Sequence, residues 1–206
     1  IKDVYSKTVG DKVTVEGVIT GIYGNNFYIN DGVKGILVYL GNETKYASLV
    51  KLGANVVVEG SVDIYKDIKQ IKTITSLKTS NKTYKATSIK LTNVSQDELK
   101  KYPNDLVNLE GVSVSDLGTY ASGKDYTVKL TLNGVTVDLF MSRHVAEGTK
   151  TKVLEVLESL ADTDTLNING LHVSKYNSYQ LVITDATSLV KVASSTPDTP
   201  VDPEQP

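Results

Sequence analysis

Sixteen residues near the N-terminus recur 94 positions later, and no other feature constrains the fold as strongly. Residues 3–18 (DVYSKTVGDKVTVEGV) lie without a gap over residues 97–112 (DELKKYPNDLVNLEGV). Seven of the sixteen positions are identical: Asp3/Asp97, Lys7/Lys101, Asp11/Asp105, Val13/Val107, Glu16/Glu110, Gly17/Gly111 and Val18/Val112. Unrelated segments of ordinary composition would share about one such position. The chain is therefore read as a duplication, and whatever unit the first half builds, the second half builds again. The 206 residues allow two units, each long enough to bury a core.

In the first copy, V-x-V-x-G-V (residues 13–18) is a strand interrupted by a glycine, as expected where a long strand bends. Gly24-Asn25-Asn26 supplies turn residues that tolerate positive φ, and FYIN (27–30) follows. Strict alternation puts Phe27 and Ile29 on one face of that strand, Tyr28 and Asn30 on the other. Asp31-Gly32 leads into ILVY (36–39), completing a three-strand meander. Residues 43–52 (ETKYASLVKL) predict a short helix stopped at Gly53. Residues 56–62 then form strand four around Gly60, Tyr65-Lys66-Asp67 turn the chain, and IKQIKTITSL (68–77) alternates as strand five. Five strands with a helix between the third and fourth is the element order of the OB barrel.

The second copy repeats the order. Residues 126–132 and 135–141 read as a hairpin around Asn133-Gly134, residues 150–160 as an amphipathic helix, LNINGLHV (166–173) as strand four, and residues 179–192 as strand five. Ser95 and Glu98 fit a capping box opening a short helix that ends before Pro103, and residues 1–7 are its counterpart in the first copy. The expected fold is all-β: two tandem five-stranded Greek-key OB barrels, each with a short helix between strands three and four. The first spans residues 1–88 and the second 89–193. Residues 194–206 carry four of the five prolines and read as an extended linker or stalk. With a start at Ile1 rather than Met, this leads us to expect a piece of a longer or processed polypeptide.

V-x-V-x-G-V, FYINDG, GILVY and VVVEGSV together resemble the bacterial OB-fold modules found beside catalytic domains in secreted nucleases and phosphoesterases. The segment LKKYPNDLVNLEGVSV is similar to the joint between tandem copies in such proteins. The resemblance implies a non-catalytic, export-associated module whose relatives are usually described as nucleic-acid binding. The second copy departs from it, carrying YTVKLTLNG where the first has FYINDG.

An OB barrel holds single strands on the face of strands two and three by aromatic stacking beside a cationic track. The candidates for such a site are Tyr23 in the first loop, Tyr28, Asn30 and Tyr39 outward on the meander, and Tyr65, Lys66 and Lys69 at the fourth loop. Tyrosine also favours strands on packing grounds alone, so the same residues fit an ordinary half-buried sheet. Residues 66–90 carry seven lysines against Asp67, a local +6 in a chain of net charge −2. Lys69 and Lys72 lie three apart, so they share a strand face only across a bulge. Twenty-one lysines and a single arginine, Arg143, argue against sequence-specific DNA reading, which relies on the bidentate guanidinium.

The absence of cysteine removes disulfides, thiolate nucleophiles and cysteine metal sites. His144 and His172 fall in different elements with no acid spaced to pair with them, and are expected to be structural. Asp31, Asp198, Asp202 and Glu204 do not follow a calcium-loop spacing. No acid, base and nucleophile can be assembled, so no enzyme activity and no cofactor are expected. No apolar run approaches the roughly 18 residues of a membrane span. The expectation is a binding module of a larger exported or cell-surface bacterial protein, taking single-stranded nucleic acid weakly and without sequence preference. The alternatives are a structural spacer or protein-interaction module, partnered by other domains of the same polypeptide, or a glycan binder using Asn30 as donor.

Overall fold

Alternating valines make the first strand long enough to serve two neighbours. In the computed structural model, which describes residues 1–194, β1 (Lys12–Tyr23) pairs antiparallel with β2 (Asn26–Asn30) along its second half. Along its first half it pairs with β4 (Asn55–Tyr65). β3 (Gly35–Val38) continues the meander and lies parallel to β5 (Ile68–Thr79), which returns antiparallel to β4. The ring β1-β2-β3-β5-β4 is closed, the strand order of an OB barrel. Phe27, Ile29, Ile36, Val38, Val58 and Ile71 fill its interior, as the alternation requires.

β7 (Leu106–Ser115), β8 (Tyr126–Leu132), β9 (Val135–Met141), β10 (Thr165–Lys175) and β11 (Tyr179–Ile183) reproduce that order, and the pairing of β10 with β7 closes the second barrel. Asn133 and Gly134 both take positive φ, +51° and +78°, as a tight hairpin turn demands. Before this barrel come β6 (Ser88–Lys90), parallel to β7, and α1 (Gln96–Leu99), whose N-terminus is capped by the Ser95 hydroxyl accepting from the Glu98 amide. A 3₁₀ turn at Lys2–Ser6 occupies the matching place in the first copy.

The repeated glycines are kept for different reasons. A Cβ on Gly17 would lie 2.7 Å from the Asn30 carbonyl oxygen, so β1 has no side chain where β2 crosses it. Gly111 instead has φ +66° and lies in a bulge, where its amide donates to Asn167 Oδ1 (3.0 Å).

Two elements differ from expectation. Residues 43–52 form no helix: Glu43, Ala47 and Leu49 amides each bond back three residues in separate turns. The apolar side chains at Leu40, Tyr46, Leu49 and Val50 all pack onto the barrel end, and a ten-residue helix, marginal by itself, gives way to that packing. The helix between strands three and four is found in the second barrel, as α2 (Glu147–Glu158), with Val153 and Leu157 buried. The second difference lies at residues 179–192, expected as one strand. Asp185 accepts from the Thr187 amide and caps a 3₁₀ turn at Ala186–Ser188, after which β12 (Leu189–Val192) pairs with β10 instead. The proline-rich stretch from residue 195 on lies outside the described residues.

Gly148, in the first turn of α2, has open space where a Cβ would stand. Gly148→Ala should therefore stabilise the protein by about 0.4–1 kcal/mol through the unfolded chain, read as a rise in urea midpoint at unchanged slope.

Candidate functional site

Register fixes what the outer face of the first barrel presents. Asp63, Gln70, Leu37, Tyr28 and Gly21 are paired in sequence across β4, β5, β3, β2 and β1, forming one row. Tyr39 and Lys72 lie in the next row, with the Lys72 ammonium 5.7 Å from the centre of the Tyr39 ring. This is the face on which stacking was expected.

One end of it is covered by the second barrel. The Tyr28 ring stacks on His172 of β10, with centroids 3.9 Å apart and planes within 9°. Tyr28 is 2% exposed and Asn30 1% exposed, so neither is the outward platform that alternation alone suggested. Alternation gives the face of the sheet correctly; a second domain lying on that face is invisible to it. Burial pushes the Tyr28 phenol well above its ordinary pKa, opposed by the Ser174 hydroxyl beside it. The Asn30 side chain is spent within the fold, its Oδ1 accepting from the Gly32 amide (2.8 Å) and its Nδ2 donating to the Thr87 carbonyl (3.4 Å). It is no longer free as a donor to a glycan.

The joint is dense. His172 is fully buried, with Nδ1 3.0 Å from the Asn104 carbonyl oxygen and Nε2 3.2 Å from Thr20 Oγ1. A carbonyl only accepts, so the neutral ring carries its proton on Nδ1 and accepts from the Thr20 hydroxyl at Nε2. Burial, opposed by these two bonds, lowers its pKa from 6.5 to about 4. Two glycines admit the second barrel. A Cβ on Gly21 would lie 2.5 Å from Thr184 Oγ1, and one on Gly35 2.3 Å from the Asn104 carbonyl oxygen. Asn104 Nδ2 donates to Tyr5 Oη and to the Lys69 carbonyl, while Asp105 accepts from the Gly35 amide (2.7 Å) and pairs with Lys34. The Asp105 carboxyl is pushed up by burial against the opposing pull of Lys34.

The remaining candidates divide. Lys69 is not a free phosphate contact: its ammonium is held by the Tyr5 and Lys7 carbonyls. Tyr23 is half-buried against Tyr28, with centroids 6.1 Å apart. Its phenol is pushed far up, chiefly by burial and further by the phenols of Tyr28, Tyr39 and Tyr65. Of these only Tyr39 (37% exposed) and Tyr65 (53%) reach solvent. Lys66 lies 4.5 Å from the ring centre of Tyr176, itself 54% exposed on the β10–β11 turn. The open remainder is thus a strip of Leu37, Tyr39, Lys72, Tyr65, Lys66 and Tyr176, crossing from the first barrel to the tip of the second.

The lysine run between 66 and 90 does not gather into one patch. Lys72 faces Asp63, Lys82 pairs with Glu16 and Lys90 with Glu110, acids drawn from other parts of the sequence. In the second barrel the positions equivalent to Tyr28 and Leu37 are Lys129 and Asp138, which pair with each other and present no ring. A cleft of about 330 Å³ on another side of the joint is bordered by Ile22, Leu52, His144, Thr149, Thr184 and Asp185, with no tyrosine to stack a base. Among the described residues no group of three or more His, Cys, Asp or Glu side chains is placed to hold a metal ion. None of the described helices is long and apolar enough to cross a membrane.

Of the joint residues, His172 was expected to be structural, while Asn104, Gly21 and Gly35 were not singled out by sequence reasoning. Pro103-Asn104 was visible as the stop of α1, with Asn104 at φ +64°, but nothing in a one-dimensional pattern pairs it with Gly35.

Fold and face together define a tandem OB-barrel protein. Neither the family models nor the curated proteins include a match to this sequence. Among solved structures it is similar to fission yeast Pot1 with single-stranded DNA (TM-score 0.40, 10% identity, 93% of this chain and 87% of that one). It is also similar to a murine DNA-binding protein bound to double-stranded DNA (TM-score 0.40, 9% identity, 92% and 99%). A third similarity is to the hypothetical protein YgiW of E. coli (TM-score 0.34, 17% identity, 39% and 86%). At such scores none of them bears on what this chain binds.

Proposed function

We propose that this chain is a non-catalytic binding module of a larger exported bacterial protein, taking single-stranded nucleic acid weakly and without sequence preference. The strand lies on the strip of Tyr39, Tyr65 and Tyr176, flanked by Lys66 and Lys72. The observation that carries this reading is the alternation of exposed rings and ammonium groups on one surface, the two components a sequence-tolerant strand site needs. The feature behind the export reading is the proline-rich stretch after the second barrel, which reads as a linker or stalk.

Titration with oligo-dT at low and at physiological salt tests it. Binding should weaken as salt rises, because phosphate contacts release counterions. Each of Tyr39→Ala and Tyr65→Ala should cost about 1–3 kcal/mol of binding. No binding at low salt, or binding untouched by both substitutions, contradicts the reading. The extent of the joint favours a second reading, a rigid spacer that holds neighbouring domains of the polypeptide apart; a module silent to oligo-dT yet indifferent to loss of its neighbours would contradict that one.

A further inference from the structure

We propose that the joint between the barrels is an acid-released latch: protonation of His172 detaches the second barrel from the strand face of the first, each barrel staying folded. The geometry that points to it is the placement of one ionisable ring at the centre of the joint. His172 belongs to the second barrel, yet its π-face lies on Tyr28 and its Nε2 on Thr20, both from the first. In the closed form the ring is wholly dry, and a charge arriving there has no carboxylate to meet it.

The groups around it are these. From β1 comes the Thr20 hydroxyl, from β2 the Tyr28 phenol, and from the connection before β7 the Asn104 carbonyl. Ser174 on β10 and Thr184 after β11 add hydroxyls beside Tyr28 and Gly21. Tyr23 lies behind Tyr28. The acid of the joint is Asp105, already engaged by Lys34 and the Gly35 amide. Its response has the opposite sign: burial raises its pKa, so the closed state holds that proton more tightly and gains from acidification. Asp67, which joins the barrels at the rim through Lys175, is held below the usual carboxylate range and keeps its charge to lower pH. Between neutral pH and pH 4 His172 is the group whose protonation chiefly opposes closure, the Asp67 pair beginning to weaken only as pH 4 is reached.

In the open form the ring regains water and an ordinary pKa near 6.5, against about 4 when closed. Through His172, linkage favours opening by a factor of up to about 100 between pH 7 and pH 4, which the opposite response of Asp105 reduces. Gly24 reports it directly, since its amide donates across the joint to the His144 carbonyl (2.8 Å). Amide exchange followed by NMR, with intrinsic rates divided out, should show Gly24 protection falling at least about tenfold and up to about 100-fold from pH 7 to pH 4. Amides of the β4–β5 ladder should keep their protection. His172→Gln, which can still donate to Asn104 and accept from Thr20 but takes no proton, should keep Gly24 protection flat. Equal loss in the Gln variant, no loss in the parent protein, or simultaneous loss in the β4–β5 ladder would each overturn the latch. Should the Gln variant fail to fold, the His172 ring resonances of the parent protein decide: a midpoint below 5 coincident with Gly24 exposure supports the latch. An ordinary midpoint with Gly24 still protected refutes it.

Discussion

Tyr28→Ala should destabilise the protein by about 3–5 kcal/mol, the cost of emptying a buried aromatic site. On the sequence alone Tyr28 is a surface residue of a half-exposed sheet, where the same change would cost within about 0.5 kcal/mol. The difference comes from the joint: the ring is 2% exposed and stacked face to face on His172. Its removal opens a void lined by His172 and Tyr23, and water entering there returns the imidazole towards its ordinary pKa. Urea unfolding measures the first effect and NMR titration of the His172 ring the second. Tyr39→Ala is the control, expected to cost far less than Tyr28→Ala because that residue is 37% exposed. A Tyr28→Ala protein as stable as its parent would mean that Tyr28 is exposed after all.

Gly35→Val is the second large effect, and it acts by overpacking. The new Cβ would stand 2.3 Å from the Asn104 carbonyl oxygen. Asn104 has no room to retreat: its backbone is in the left-handed region, its carbonyl accepts from His172, and its side chain is bonded to Tyr5 and to the Lys69 carbonyl. Overpacking typically costs about 1–3 kcal/mol, and an obstructed backbone places this change at the upper end. Because the clash lies between barrels, the loss should fall on their coupling. The parent protein is expected to unfold in one transition, and Gly35→Val in two, resolved by urea titration with tyrosine fluorescence and circular dichroism. A single, unshifted transition in the variant would show that the second barrel does not approach β3 in solution.

The barrels were legible in the sequence because their determinants are local. V-x-V-x-G-V, the FYIN alternation and Asn133-Gly134 each specify a strand or turn through near neighbours, and the repeat carried the first copy's topology to the second. The helix at residues 43–52 was misread because Tyr46, Leu49 and Val50 carry helical spacing, yet a ten-residue helix is marginal by itself and the segment closes the barrel end through separate turns. The candidate site was legible only in part. The sequence placed Tyr28 and Tyr39 on one strand face, with Tyr23 and Tyr65 at the loops beside it, because strand alternation determines faces. It left open what else lies on that face, because His172 comes from more than 100 residues away in the chain and Asn104 from beyond the first barrel. The lysine run misled for the same reason, since Glu16 and Glu110 pair with Lys82 and Lys90, and the Tyr5 and Lys7 carbonyls hold Lys69, all from other parts of the sequence.

The two barrels meet head to tail, the strand face of the first on the β10–β11 side of the second, and neither free surface repeats that chemistry. Lys129 and Asp138 stand where Tyr28 and Leu37 would be needed, and Ser61 and Lys72 where His172 and Val182 would be. The docking mode therefore ends with this pair.

All of this depends on the closed joint, and nuclear Overhauser contacts between the Tyr28 and His172 rings at neutral pH test it most directly. Clear cross-peaks between the two rings and a strong upfield ring-current shift of the His172 protons are expected. Absent cross-peaks with His172 at ordinary chemical shifts would contradict it.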